Sequence, residues 1–322
     1  MPKRRYAIIG TGAVGGFYGA RLARAGREVH FLLRSDFDHV REHGLVVESP
    51  QGDFVLPTVN ACADPRDLPP ADVAVVALKA TRNHLLPALL PPAVADGGAV
   101  LLLQNGLGAE EKIAEIVPGR GVVGGLCFLC SNKVGPGHIR HLDYGFVTLG
   151  EFSPAGRPAG VTETMRAIAA DLEAAGIEIH LAEDLVLARW KKLVWNVPFN
   201  GLSVVLDAMI DELMADEHTR GLAEALMREV AAAAGAVGRP IGDDFIRHML
   251  DLTARMTPYR TSMKIDCERK QPMEVEAIFG EPLRAARRAG ADCPRIEALY
   301  RQLKFIDARN LAAANPPAGG AA

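Results

Sequence analysis

An apolar stretch, Tyr6-Ala7-Ile8-Ile9, runs without a break into Gly10-Thr11-Gly12-Ala13-Val14-Gly15. A strand, a glycine turn and a helix in that order leave few folds open. The first glycine of a G-x-G-x-x-G turn permits the tight bend, and the second lets backbone approach a pyrophosphate. The third lets the following helix lie close on the strand, so that its N-terminal N–H groups and positive dipole end face the phosphates. With 32 glycines the spacing alone is a weak signal. Set after an apolar strand and before Phe17–Arg24, which reads as a helix closed by Gly26, it points to a dinucleotide held by residues 10–15.

The end of the second strand discriminates between dinucleotides. Glu28–Leu33 is that strand, and it runs into Arg34-Ser35. An Asp or Glu at this place would accept hydrogen bonds from ribose hydroxyls. A cation and a hydroxyl suit a 2′-phosphate instead, so the expected cofactor is NADP(H), with Arg34 as a ligand.

Up to about residue 150 strand and helix patterns alternate, as a doubly wound sheet requires. Ala71–Leu78 and Val100–Leu103 read as strands buried on both faces. Leu45–Glu48 and Phe54–Leu56, joined by Ser49-Pro50-Gln51-Gly52, read as an inserted hairpin, and Val122–Leu129 as a buried strand. Proline pairs at 69–70 and 91–92 mark connections. A helix over 162–175 and a short strand over 177–180 complete this part. From Asp184 onward only helical periodicity is found. The expected fold is α/β: an N-terminal Rossmann-type parallel-sheet domain over 1–182, a C-terminal all-helical domain over 183–314, and a disordered tail over 315–322.

In open α/β sheets, ligands lie at the carboxyl ends of strands. Gly10, Arg34, Lys79 and Asn105 all follow strand ends, and so are expected along one rim. In the helical part, Lys192, Asn196 and Asn200 recur at i, i+4 and i+8 on one helix face, while Lys191 points about 100° away. Leu193, Val194, Trp195 and Phe199 between them mark a largely buried helix, where Lys and Asn need partners or a ligand. Pro198 either kinks or ends this helix. Asp266 and Glu274, taken alone, read as surface acids.

Composition narrows the function classes. Hydrophobic residues make up 49% and charged residues 23%, with a net charge of −3. That balance offers nothing to nucleic acid. No apolar run reaches membrane-spanning length. Five cysteines, an odd number, argue for a reducing, cytoplasmic setting, and Cys127-Phe128-Leu129-Cys130 reads as core rather than as half a metal site, so no metal is expected. The apolar helices suggest a self-association surface compatible with a homodimer.

These elements together resemble the ketopantoate reductase (2-dehydropantoate 2-reductase) family over nearly the whole chain. The likeness rests on the glycine turn, the Arg after strand two, Lys79, Gln104-Asn105-Gly106, Lys192-x-x-x-Asn196-x-x-x-Asn200, Ser262-Met263-x-x-Asp266 and Glu274. The resemblance implies hydride transfer from NADPH to the keto carbon of ketopantoate, giving pantoate for pantothenate and coenzyme A biosynthesis. It makes Lys192 the general acid. Glu274 would hold the substrate hydroxyl, Ser262 its carboxylate, and Asn196 and Asn200 would position it. Asn105 would bridge cofactor and substrate, and Lys79 would contact cofactor. Ile210 and Phe279 stand where the family often has Asn, near the expected cleft. Two alternatives stay open: a related NADPH-dependent reductase of another 2-keto acid, and a non-catalytic NADP(H)-binding sensor.

Overall fold

The structure, a computed structural model, describes residues 4–314 apart from 257 and 259. The tail expected over 315–322 lies outside the described residues. The chain divides into two compact units. One runs to Gln104 and resumes over Ala109–Ala188, while the other takes Asn105–Gly108 and continues from Arg189.

The first unit contains, in chain order, β1 (Arg5–Ile9), α1 (Ala13–Arg24), β2 (Glu28–Leu32), α2 (Phe37–His43), β3 (Leu45–Glu48), β4 (Phe54–Leu56), β5 (Asn60–Cys62) and β6 (Ala71–Val76). It goes on with α3 (Leu86–Ala93), β7 (Val94–Leu102), α4 (Ala109–Ile116), β8 (Gly121–Gly135), β9 (His138–Glu151), α5 (Glu163–Ala174) and β10 (Ile179–Leu181). The strands form one sheet in the order β4-β3-β9-β8-β7-β6-β1-β2-β5, with β10 beside β9. From β5 to β8 every pairing is parallel, which is the expected Rossmann-type core.

Beyond β8 the sheet becomes mixed. The buried strand read over 122–129 continues to Gly135 and folds back as a long antiparallel hairpin with β9. The small hairpin of β3 and β4 then extends the sheet beyond β9. The prolines at 91–92 do not mark a connection; they sit in the last turn of α3. A proline there forfeits one N–H bond at the end of a short helix, not in the middle of a long one.

Strand alternation divides β1 between two cores. Tyr6 and Ile8 enter one cluster with Phe17, Phe31 and Val147, while Ala7 and Ile9 enter another with Val76, Leu90 and Leu102. A strand covered on both faces therefore reads as uninterrupted apolar sequence. Helix α1 lies flush on the sheet because its sheet-facing positions are glycines. A Cβ on Gly19 would come within 2.7 Å of the Phe31 ring, and one on Gly16 within 2.6 Å of Ile139.

One buried acid ties α5 to β1. Asp171 accepts from the Tyr6 hydroxyl at 2.7 Å and pairs with Arg4 and Arg27, each at 3.0 Å.

After β10 the chain is helical: α6 (Leu185–Val205), α7 (Ile210–Ala215), α8 (Glu217–Ala236), α9 (Asp243–Ala254) and α10 (Ser262–Glu268). A π-helical turn (Glu276–Gly280), α11 (Glu281–Arg288) and α12 (Pro294–Ala314) complete it. Helix α6 passes through Pro198 without ending. The division between units falls inside α6, six residues beyond the expected boundary at 182. Its first turn packs on the sheet: a Cβ on Gly124 would meet the Leu185 side chain at 2.6 Å, and one on Gly150 at 3.0 Å.

Replacing Asp171 with Ala strands two guanidinium groups and a phenol around an empty acceptor position. Asp171→Ala should lower the unfolding free energy by about 3 kcal/mol, measured by urea titration.

Candidate dinucleotide and catalytic site

In the first unit the glycine turn is set by contact. Gly10 has φ +103°, and a Cβ there would sit 2.5 Å from the Leu78 amide nitrogen at the end of β6. A Cβ on Gly15 would run into the Gly10 carbonyl oxygen and lie 2.9 Å from the Ala77 methyl. Gly12 differs. Its φ is −91°, and nothing lies within 4 Å of where its Cβ would be. Nothing inside the chain requires glycine at 12, so the open space in front of it is the observation that fits a pyrophosphate. Gly12 is also the N-cap of α1 and has no side chain to cap the first-turn N–H groups, which suits an external anion. Ala13 and Val14 form that first turn, and the Thr11 hydroxyl donates to Leu32 O at 3.1 Å, pinning the turn to the end of β2.

Arg34 stands exposed two residues past β2. The acid that could have competed for a ribose is Asp36, and it is turned inward. It pairs with Lys133 and accepts from Gly137 N at 2.9 Å and the Ser35 hydroxyl at 3.0 Å. Burial opposes its charge, but Lys133 and the Gly137 N–H outweigh that and hold its carboxyl below the usual range. The residues present therefore fit a 2′-phosphate better than a bare ribose. Lys79 is exposed just after β6, at the start of a 3-10 turn (Ala80–Leu85). The Gln104 amide supports that segment, donating to Leu78 O and Asn83 Oδ1, both at 2.7 Å.

The second unit gathers the remaining residues. Asn105, three residues beyond β7, donates to Glu274 Oε2 at 3.5 Å. The loop carrying it is fixed by Gly106, whose φ is +92° and whose Cβ would lie 2.5 Å from the Ala277 carbonyl carbon. Leu107 N donates to Ala277 O at 3.0 Å. On α6, Lys192 is half-buried and Asn196 and Asn200 are buried on the same face. Asn200 is only 3% exposed, and its Oδ1 has no hydrogen-bond partner. Such an orphan costs about 1–3 kcal/mol unless something binds it. Lys191 points away, as expected, with its ammonium 5.4 Å from the Phe245 ring centre.

Ser203, one turn beyond Asn200, links α6 to α10. Its hydroxyl donates to Asn200 O at 3.3 Å and lies 2.9 Å from Thr261 Oγ1. Thr261 caps α10 and sets Ser262, which is exposed, at the first helical position. Lys264, on the same helix, is buried but already met by Asp207 and by Glu268 at 3.3 Å. Burial works against its charge, yet the two carboxylates prevail and raise its pKa.

Two expectations need correction. Asp266 and Glu274 are buried, not surface acids. Glu274 lies two residues before the π-helical turn, whose first residue, Glu276, takes the solvent side. There it accepts from Tyr300 at 2.7 Å and pairs with Lys304 and Arg284 at 3.0 Å, which outweigh its burial and press its pKa down to about 2. Ile210 and Phe279 do not open onto a cleft: they are 2% and 0% exposed. Leu299 and Phe279 fill the space beside Gly201, where a Cβ would run into the Leu299 side chain and lie 3.2 Å from the Phe279 ring.

Asp36, Ser203 and Thr261 carried no expectation from the sequence, and Gln104 entered only as part of the Gln104-Asn105-Gly106 motif. A buried Ser three residues past Asn200 continues the i, i+4, i+8 face, and that spacing could have flagged Ser203.

Residues 6–154 match the family profile described as ketopantoate reductase PanE/ApbA, and residues 184–307 match its C-terminal counterpart. The chain belongs to the ketopantoate reductase family. A 2-dehydropantoate 2-reductase of Nostoc sp. is 60% identical over 310 residues, covering 96% of this chain and 97% of the relative. Among solved structures, the 2-dehydropantoate 2-reductase of Geobacter metallireducens is 42% identical with a TM-score of 0.89, covering 94% and 99% of the two chains. That of Methylococcus capsulatus is 34% identical with a TM-score of 0.87, covering 95% and 98%. In this family the Lys192, Asn196 and Asn200 face and the Asn105–Glu274 pair become the candidate catalytic groups.

Gly12 and Gly15 should separate binding from folding. Gly12→Ala should leave stability within about 0.5 kcal/mol of wild type and weaken NADPH binding at least about tenfold. Gly15→Ala, with no room for its methyl, should lose about 2 kcal/mol or more. Urea unfolding and cofactor fluorescence titration read the two effects.

Proposed function

We propose that the protein reduces 2-dehydropantoate to pantoate with NADPH. The observation that carries the reading is the polar face of α6 (Lys192, Asn196 and the unsatisfied Asn200 Oδ1), in one unit with the Asn105–Glu274 pair. The membership of the chain in the ketopantoate reductase family gives that face its chemistry.

NADPH, when bound, supplies the hydride. The protein's own groups manage charge and protons. As the carbonyl carbon is reduced, negative charge builds on its oxygen. The Lys192 ammonium, half-buried on α6, stabilises that oxygen and then donates the proton that makes it a hydroxyl. Asn196 and Asn200 position the substrate, and a hydroxyl donating to Asn200 Oδ1 would satisfy the orphaned acceptor. Glu274, with Asn105 donating to it, holds the substrate hydroxyl, and Ser262 donates to the carboxylate. Arg34 and Lys79 are the cations for the cofactor, and the family likeness makes Asn105 the bridge between cofactor and substrate.

Because Ile210 and Phe279 are core residues, they give no reason to shift the substrate toward a more apolar keto acid. No helix among the described residues is long and apolar enough to cross a membrane, and the described cysteines are free thiols. A cytoplasmic setting and a homodimer accompany the reading. Exposed Leu206, Leu222 and Leu252 on the helical unit support the latter.

Lys192→Ala should lower kcat for ketopantoate at least about a hundredfold while NADPH binding is kept; near-normal turnover would refute the role. Arg34→Ala should raise the KM for NADPH about tenfold, the worth of one charge-assisted contact, and leave that for NADH unchanged. NADPH oxidation followed at 340 nm measures both. Tight NADPH binding without turnover on any 2-keto acid would favour the sensor.

A further inference from the structure

A cavity of about 550 Å³ opens in the first unit, away from every residue assigned above. It shares α1 with the glycine turn but draws on Phe17 and Arg21, further along that helix. Arg21 is the unusual member. It is 9% exposed, and no carboxylate among the described residues lies within ion-pair distance of it. Its two hydrogen bonds go to neutral acceptors, Gly176 O at 3.1 Å and Gln51 Oε1. Its Nε–H is buried and unpartnered. A guanidinium carries five donors, so three remain uncommitted. Lys264, buried to a similar depth, is met by two carboxylates. A buried cation with no counter-charge is costly, and an anion beside it would relieve that cost.

The walls are built rather than incidental. Gln51, which holds Arg21, donates its backbone N–H to Ser49 Oγ at 3.1 Å, and Ser49 Oγ lies 2.8 Å from His141 Nδ1. The other ring nitrogen of His141 faces the carbonyls of Asp143 and Tyr144, at 3.0 and 2.9 Å. This chain of contacts holds a bulge in β9 where Tyr144, a non-glycine, has φ +59°. Backbone strain of this kind persists only where surroundings over-determine it, and it clusters at ligand sites.

The lining also selects. Phe146 and Tyr144 supply apolar surface, backed by the buried Phe17 and Ile177, and the Arg21 guanidinium carbon lies 4.9 Å from the Phe17 ring centre. Asp143 and Glu178, both exposed, bring negative charge to the mouth, which disfavours multiply charged anions. We propose that this cavity binds a small organic monoanion, a monocarboxylate on an apolar body, with its carboxylate on Arg21 and its body against Phe146 and Tyr144.

Isothermal titration of the full chain with benzoate, its neutral isostere benzamide, and citrate tests this. Benzoate should bind one per chain and at least tenfold tighter than benzamide or citrate. Arg21→Met should abolish that preference, and Lys192→Ala should keep it. Equal binding of benzoate and benzamide would overturn the proposal. So would benzoate binding that survives Arg21→Met, or that is lost in Lys192→Ala alone, which would place the anion among the α6 residues. Should Arg21→Met fail to fold, Glu178→Lys offers a second arm: removing negative charge from the mouth should tighten benzoate at least threefold and admit citrate. No change in either would refute the assignment.

Discussion

The turn between β1 and α1 is pressed against the end of β6 so closely that neither Gly10 nor Gly15 has space for a methyl group. That steric constraint sets where α1 begins and how near it lies to the sheet, and Gly16 and Gly19 carry the same contact along the helix. Much else follows from it. The first-turn N–H groups of α1 come out at the carboxyl ends of β1, β2 and β6, where Thr11 ties the turn to β2. Further along, α1 delivers Phe17 and Arg21 to the bulged hairpin of β8 and β9. One helix thus reaches two regions of the unit, and its position is decided by the absence of side chains.

Buried charge is handled in two distinct ways. Asp171, Asp36, Glu229 and Lys264 are each surrounded by complementary groups. Asp171 takes two arginines and a phenol, and Glu229 accepts the backbone N–H groups of Arg295 and Ile296 at the start of α12. Such groups lock elements together, and leave nothing over for chemistry. Asn200 Oδ1 and the Arg21 guanidinium are incompletely matched by the protein. Buried polar groups are nearly always satisfied, and these two exceptions border candidate binding sites. One falls on the face of α6 that carries Lys192; the other falls in a cavity with no role in the reduction.

The legible parts of the sequence were those governed by local rules. The turn at residues 10–15, the parallel strands, the hairpin at 45–56 and the periodic face of α6 each follow from a pattern within about a dozen residues. The parts that misled depend on distant partners. Asp266 and Glu274 look like surface acids because acids usually are, and Glu274 is accommodated at depth by Asn105, 169 residues earlier in the chain. Ile210 and Phe279 invited a functional reading until their burial showed them to be packing residues. The hairpin of β8 and β9 was half visible, since glycines and bulges interrupt its alternation.

The sequence by itself determined the glycine turn, the missing ribose-directed acid after β2, and the helical register that sets Lys192, Asn196 and Asn200 in line. These are consequences of residue type and spacing, because a strand repeats every two residues and a helix every 3.6. Only the tertiary structure decided that Asp36 turns inward to Lys133, that Ser203 joins α6 to α10 through Thr261, and that Arg21 is buried without a counter-charge. Burial and pairing are properties of what the rest of the chain brings alongside, and no local pattern encodes the neighbour.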